Sequence, residues 1–293
     1  MRRFPGSSIT TGALLLSGAL VVSPSTAFAK NGKGKPPSSS PLPVAAAPPP
    51  GIGATPIPWI DDANLMPSGA MSVDLSMSRW QGDGIGETTL PVVNFAVGLS
   101  DRFQLALSVP RVVGDEAAGI AGGIGTTFVS GKYAAYVSDS GLKVAVAPTL
   151  ELLGANVLPS LGPNEKRAQF GVPVSLELDS GGRRAYFSTG WFSRGVWFAG
   201  AGLGLQVHRR VGVSASFSRS WTSVDPVLLE SRDKAELSGG VGIALAPHVS
   251  VFASASHTIA TSVENGAGAT VSAGMSFYIP PPRRPGPARR PRP

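Results

Sequence analysis

From Ala70 onward the chain alternates apolar and polar residues with a period of two, the mark of strands whose two faces meet different surroundings. In 71–77, Met71, Val73, Leu75 and Met77 share one face, while Ser72, Asp74 and Ser76 take the other. The same alternation runs through 103–109, 142–152, 170–178, 211–217 and 271–279. It predicts about twelve strands, near 70–80, 90–99, 102–110, 123–137, 142–153, 168–179, 184–193, 196–207, 211–222, 236–246, 249–259 and 269–279. A tilted strand crossing a bilayer needs about 9–11 residues, whereas strands of globular proteins usually run to about 5–6. These strands are of the longer kind.

The connections sharpen the picture. Short links fall at 100–101, 138–141, 180–183, 208–210 and 247–248, and long ones at 81–89, 111–122, 154–167, 223–235 and 260–268. Short and long alternate, as in a barrel with tight periplasmic turns and long outer loops, and the short link at 194–195 is the exception. The expected fold is all-β: a closed antiparallel transmembrane β-barrel of about 12 strands with both termini periplasmic. Its competitor is a secreted soluble β-sandwich. Trp80, Trp191, Trp197, Trp221, Phe277 and Tyr278 lie near strand ends, where an interfacial aromatic girdle would sit. The inward positions are mainly Ser, Gly, Ala and Thr with scattered charges. A lumen so lined holds either water or a plug, and the polar linker is the expected source of a plug.

The two ends of the chain differ from its middle. Arg2 and Arg3, the apolar stretch 13–22 and the small-x-small step Ala27-Phe28-Ala29 read as a signal peptide over 1–29, cleaved before Lys30. Residues 30–58, rich in Pro, Ala and Ser, cannot bury enough surface to offset their ordering entropy and are expected to form a disordered linker. The barrel is expected over 59–279, followed by a Pro/Arg-rich disordered tail over 280–293.

Composition agrees with a barrel wall. Charged residues make up 15% of the chain, against roughly 25% in an ordinary soluble domain. The absence of cysteine excludes disulfides and thiolate metal sites. A net charge of +7 suggests nucleic acid until the charges are placed. Ten of the 25 basic residues lie before residue 36 or after 282, so the 15 basic and 18 acidic side chains between leave a net of −3. The basicity belongs to the ends, and no nucleic-acid partner is expected.

The run from Pro91 through Val97-Gly98-Leu99-Ser100-Asp101-Arg102-Phe103-Gln104-Leu105 to Val109-Pro110, with Gly131-Lys132-Tyr133 in the next strand, resembles outer-membrane proteins grouped as transporters of the phenol meta-cleavage pathway. The likeness spans about three strands. It implies an outer-membrane barrel that passes small, often hydrophobic, molecules. Such barrels commonly end at an aromatic read by the outer-membrane assembly machinery. Phe277-Tyr278-Ile279 has that character, but fourteen residues follow it.

No residue set earns a catalytic, cofactor or metal assignment. His248-Val249-Ser250 matches part of a lipid A deacylase motif, but it falls at a predicted periplasmic turn without an accompanying carboxylate. His208 and His257 read as structural or interfacial. Gly125 and Gly131-Lys132 are mis-spaced for a phosphate loop, and Tyr133 stands where Ser or Thr is needed. Gly200-Ala201-Gly202-Leu203-Gly204 lies mid-strand, where glycine serves close packing. Asp61-Asp62 and Asp115-Glu116 are too few oxygens for a cation. The leading expectation is a passive channel for small molecules. The alternatives are a non-transporting structural or interaction protein of the cell envelope and a lipid-modifying enzyme. Expected partners are outer-membrane lipid, the assembly machinery and, through the Arg-rich tail, anionic cell-wall polymer.

Overall fold

The structure, a computed structural model, describes residues 62–82, 85–114, 122–154, 166–193, 195–222, 233–261 and 267–282. The expected signal peptide, the linker and the tail beyond 282 lie outside these residues, as do Asp61, Asp115 and Glu116. Among the described residues every regular element is a strand.

Fifteen strands run in chain order: β1(Met71–Gly82), β2(Ile85–Ser100), β3(Phe103–Val113), β4(Gly123–Ile124), β5(Thr127–Val137), β6(Leu142–Val146), β7(Thr149–Leu152), β8(Ala168–Gly171), β9(Val174–Ser180), β10(Arg183–Phe192), β11(Val196–His208), β12(Val211–Thr222), β13(Lys234–Ala246), β14(Val249–Thr261) and β15(Ala269–Ile279). Every pairing is antiparallel. The sheet closes because β1 pairs with both β2 and β15, from Met71↔Ile279 to Gln81↔Ala269 along the seam.

Fifteen strands make twelve staves, because β4 with β5, β6 with β7 and β8 with β9 are each one stave interrupted once. The second break lies at Ala147-Pro148 and the third at Val172-Pro173. Proline has no N–H to give the ladder, so a stave read as continuous from its alternation is cut there. The wall carries on across the breaks: Gly131 N–H donates to the Pro148 carbonyl at 3.0 Å, and Ala147 N–H to the Pro173 carbonyl at 2.8 Å.

The short connections, at 101–102, 138–141, 181–182, 209–210 and 247–248, share one end of the barrel with Met71 and Ile279. Gly181 and Gly182, at φ +57° and +88°, supply the left-handed backbone of one such turn. One connection departs from expectation. β1 runs on to Gly82 and β2 begins at Ile85, so the predicted long loop at 81–89 shrinks to two residues.

Alternation sorts the two faces as read from sequence. Outward positions are large and apolar, and Leu75, Leu105, Leu176, Leu203 and Ile259 are all exposed. Inward positions such as Ser78, Ser188, Ser220 and Ser272 are small, polar and buried. The girdle is corrected in part. Trp191, Trp197 and Trp221 stand in one register row on the outer face of β10, β11 and β12, with Phe170 edge-on to Trp191 at 5.6 Å between ring centroids. Trp80 and Tyr278 instead share the inward parity of Asp74 and Ser276. A side chain at Gly268 would strike the Trp80 ring, and Tyr278 stacks on His248.

Candidate functional site

The lumen has two chemically distinct arcs. Over β12 to β15 and β1 the inner face is mostly hydroxyl, with Ser216, Ser218, Ser220, Ser238, Ser254 and Ser256, then Thr270, Ser272, Ser76 and Ser78, interrupted by the buried carboxylates of Asp74 and Glu236, the latter paired with Lys234 at 3.3 Å. Ser216 and Ser238 share a hydrogen bond of 2.6 Å across β12 and β13, as do Ser254 and Ser272 across β14 and β15. The buried hydroxyls of Ser76, Ser256 and Thr270 have no hydrogen-bond partner among the described residues.

The other arc carries the charges that meet the inserted segment. Near the short-turn end, β3, β5, β6, β9 and β10 turn Gln104, Lys132, Lys143, Glu177 and Arg184 inward, and register pairs Gln104 with Lys132 and Lys143 with Glu177. Into this ring the chain inserts its own segment, Asp62 to Gly69, ahead of β1. Lys132 Nζ donates to the carbonyls of Asp62 and Asn64 at 3.1 and 3.2 Å. Ala63 N–H and Asn64 Nδ2 donate to the two oxygens of Glu177, at 3.1 and 2.6 Å. Arg184 Nη1 donates to Asp62 Oδ2, Lys143 Nζ to Asn64 Oδ1, and Met66 N–H to Gln104 Oε1 at 2.7 Å.

Burial makes this network consequential. The Asp62, Lys132 and Glu177 side chains are only 5%, 7% and 0% exposed. Charges held this far from water persist only when paired, and deleting one partner of such a set typically costs about 3–5 kcal/mol. Two glycines make room for the segment and its clamp. A Cβ on Gly98 would lie 2.2 Å from the Pro67 carbonyl oxygen, and one on Gly202 would lie 2.3 Å from the Tyr186 ring. Tyr186 in turn lies under the Arg184 guanidinium, 5.8 Å from ring centroid to Cζ. The glycine run of β11 therefore serves close packing, as its mid-strand position predicts.

The sequence leaves the lumen as either watery or plugged, with the linker at 30–58 as the expected source of a plug, and residues 30–58 lie outside the described residues. The described occupant is 62–69, a few residues later. Lys132, Lys143, Glu177 and Arg184 were not singled out as a set, because they lie on separate strands. Their only signal is charge at an inward parity. Asp62, weighed as part of a loop cation site, is instead an ion-pair partner of Arg184 and Lys132.

The residues weighed for catalysis do not assemble. His248 is exposed at a short turn, its ring 6.3 Å from that of Tyr278, and among the described residues its imidazole joins no hydrogen bond to Ser250. His208 Nδ1 accepts the Arg210 N–H at 3.4 Å, and His257 points outward. Among the described residues no cluster of three or more His, Asp or Glu converges as a metal site.

No family model and no curated protein matches this chain. Solved structures do. An outer membrane channel from Pseudomonas putida F1 aligns with a TM-score of 0.56 at 13% identity, over 74% of this chain and 98% of that one. The NanC porin aligns at 0.54 and 12% identity, and the KdgM porin, in complex with disordered oligogalacturonate, at 0.51 and 8%, each over 70% of this chain and 98% of the other. At these identities the likeness is one of fold: the chain is a closed twelve-stave antiparallel barrel with the architecture of outer-membrane channels.

Proposed function

We propose that the protein is an outer-membrane channel for small solutes whose periplasmic mouth is held by its own segment 62–69. The observation that carries this reading is the network joining Asp62, Ala63 and Asn64 to Lys132, Glu177 and Arg184. This segment is held by buried charges and hydrogen bonds, so its seating depends on each partner being present.

The resemblance to meta-cleavage transporters implies small, often hydrophobic cargo. The hydroxyl-rich arc supports a different choice, because hydroxyls exchange hydrogen bonds with water and with hydroxylated solutes and give nothing to a hydrocarbon. We therefore assign small polar solutes. Export by the signal peptide, insertion by the assembly machinery and contact of the Arg-rich tail with anionic cell-wall polymer belong to the same proposal.

Single-channel recording in planar bilayers tests it. The full chain should give discrete conductance steps, rare or small while the segment is seated. If neither the full chain nor a variant freed of its Asp62 anchor passes ions or solutes, the protein is an envelope component with a sealed lumen.

A further inference from the structure

The outer wall holds a feature that passage through the lumen does not use. On β10, β11 and β12, three register rows climb toward the long-loop end: Phe187↔Ala201↔Phe217, then Thr189↔Ala199↔Arg219, then Trp191↔Trp197↔Trp221. The middle column is small in the first two rows and bulky in the third. The result is a trough along β11, floored by Ala199 and Ala201, walled by Phe187 and Phe217, with Trp221 at its upper end. It is an open groove of about 660 Å³.

Arg219 lines this trough together with Trp221 and Asp233. It points outward and is exposed, one alternation step below Trp221, which is about 7 Å along the strand. Trp marks the level of the headgroups, so this guanidinium sits at or just inside the boundary of the hydrocarbon. At the level of the interface a lipid-facing arginine costs only about 0–1 kcal/mol and reaches the headgroups, and among the described residues no carboxylate lies within ion-pair distance of this one. Asp233 shares the crevice without pairing to it. An apolar trough leading to a guanidinium unpaired among the described residues is the shape of an acyl chain joined to a phosphate, the anion that a planar guanidinium grips best.

We propose that this trough is a binding site for a phosphate-bearing lipid of the surrounding bilayer, with an acyl chain over Ala199 and Ala201 and the phosphate on Arg219. The inference rests on the barrel lying in a membrane, and not on anything passing through it.

Native mass spectrometry of the full chain, released from nanodiscs of phosphatidylcholine containing phosphatidylglycerol, provides the test. Wild type should retain one phosphatidylglycerol in preference to phosphatidylcholine. Arg219→Gln should lower that adduct about tenfold, the loss of one charge-assisted phosphate contact. Ala201→Leu, which fills the trough and leaves the charge, should lower it comparably. Arg79→Gln removes another exposed outward arginine near the long-loop end, away from the trough, and should leave the adduct unchanged. Heat-modifiable migration identifies folded variants, and Ala201→Leu carries the test if Arg219→Gln does not fold. Equal retention of both lipids, an unchanged adduct in Arg219→Gln and Ala201→Leu, or an equal loss in Arg79→Gln would overturn the site. Failure of wild type to enter nanodiscs would overturn the membrane reading with it, leaving the two failures distinguishable.

Discussion

Glu177 Oε2 accepts the backbone N–H of Ala63 at 3.1 Å, across 114 residues of chain, at a point in the lumen where the carboxylate is wholly buried. A contact this distant in sequence is made only once the barrel wall exists, so the inserted segment depends on the wall and the wall need not depend on it.

That asymmetry gives a first prediction. Asp62→Ala removes the partner of Arg184 and one partner of Lys132 while leaving every strand pairing intact. Loss of about 3 kcal/mol, the lower end for a buried pair, would shift the seated-to-released ratio about a hundredfold. Larger or more frequent conductance steps, with faster proteolysis within 62–69 and unchanged heat-modifiable migration, are expected.

Gly98→Val reaches the same outcome by a different cause. The new side chain would occupy the position of the Pro67 carbonyl, while the backbone bonds of Gly98 to Gly69 and Ala70 use atoms that valine also has. The segment should be displaced with its charges intact. Matching conductance in Gly98→Val and Asp62→Ala would show that seating itself, and not the charge at 62, controls the mouth. Unaltered conductance in both would show the mouth to be open already.

Gly202→Ala tests the clamp behind the segment. Its Cβ would overlap the Tyr186 ring, and overpacking of this kind costs about 1–3 kcal/mol. Tyr186→Ala should relieve most of that cost. Urea unfolding in detergent of the two single variants and the double one should therefore give a non-additive cycle.

Leu203→Arg separates the membrane barrel from a soluble one. Leu203 is 61% exposed at the middle of β11. In water the substitution would be nearly neutral. At the middle of a bilayer it should destabilise by about 2–4 kcal/mol, read as a lower denaturation midpoint in lipid vesicles.

The wall was legible in the sequence because period-two alternation is local. Leu75 and Ser76 declare their faces with no knowledge of their neighbours, and the β11, β12 and β15 boundaries follow within a residue. For Trp80 and Tyr278 parity outweighs position near a strand end: Trp80 shares the polar face of Ser72 and Asp74, and Tyr278 that of Ser276. Two further failures have physical reasons. The breaks before Thr149 and Val174 follow from a missing N–H that side-chain alternation does not register. The ring of Lys132, Lys143, Glu177 and Arg184 depends on the stagger of separate staves, which no single strand encodes.

The seam between β1 and β15 has a consequence for how the molecule is built. Met71 meets Ile279 only after everything between them has been laid down, so the first stave waits for the last with an unpaired edge. The entropy of closing so long a loop grows only logarithmically, and the eleven matched pairs of the seam are ample return. The anchors of Asp62 lie on staves formed in between. Closure of the seam and seating of the segment therefore use different residues, so a variant can lose one and keep the other.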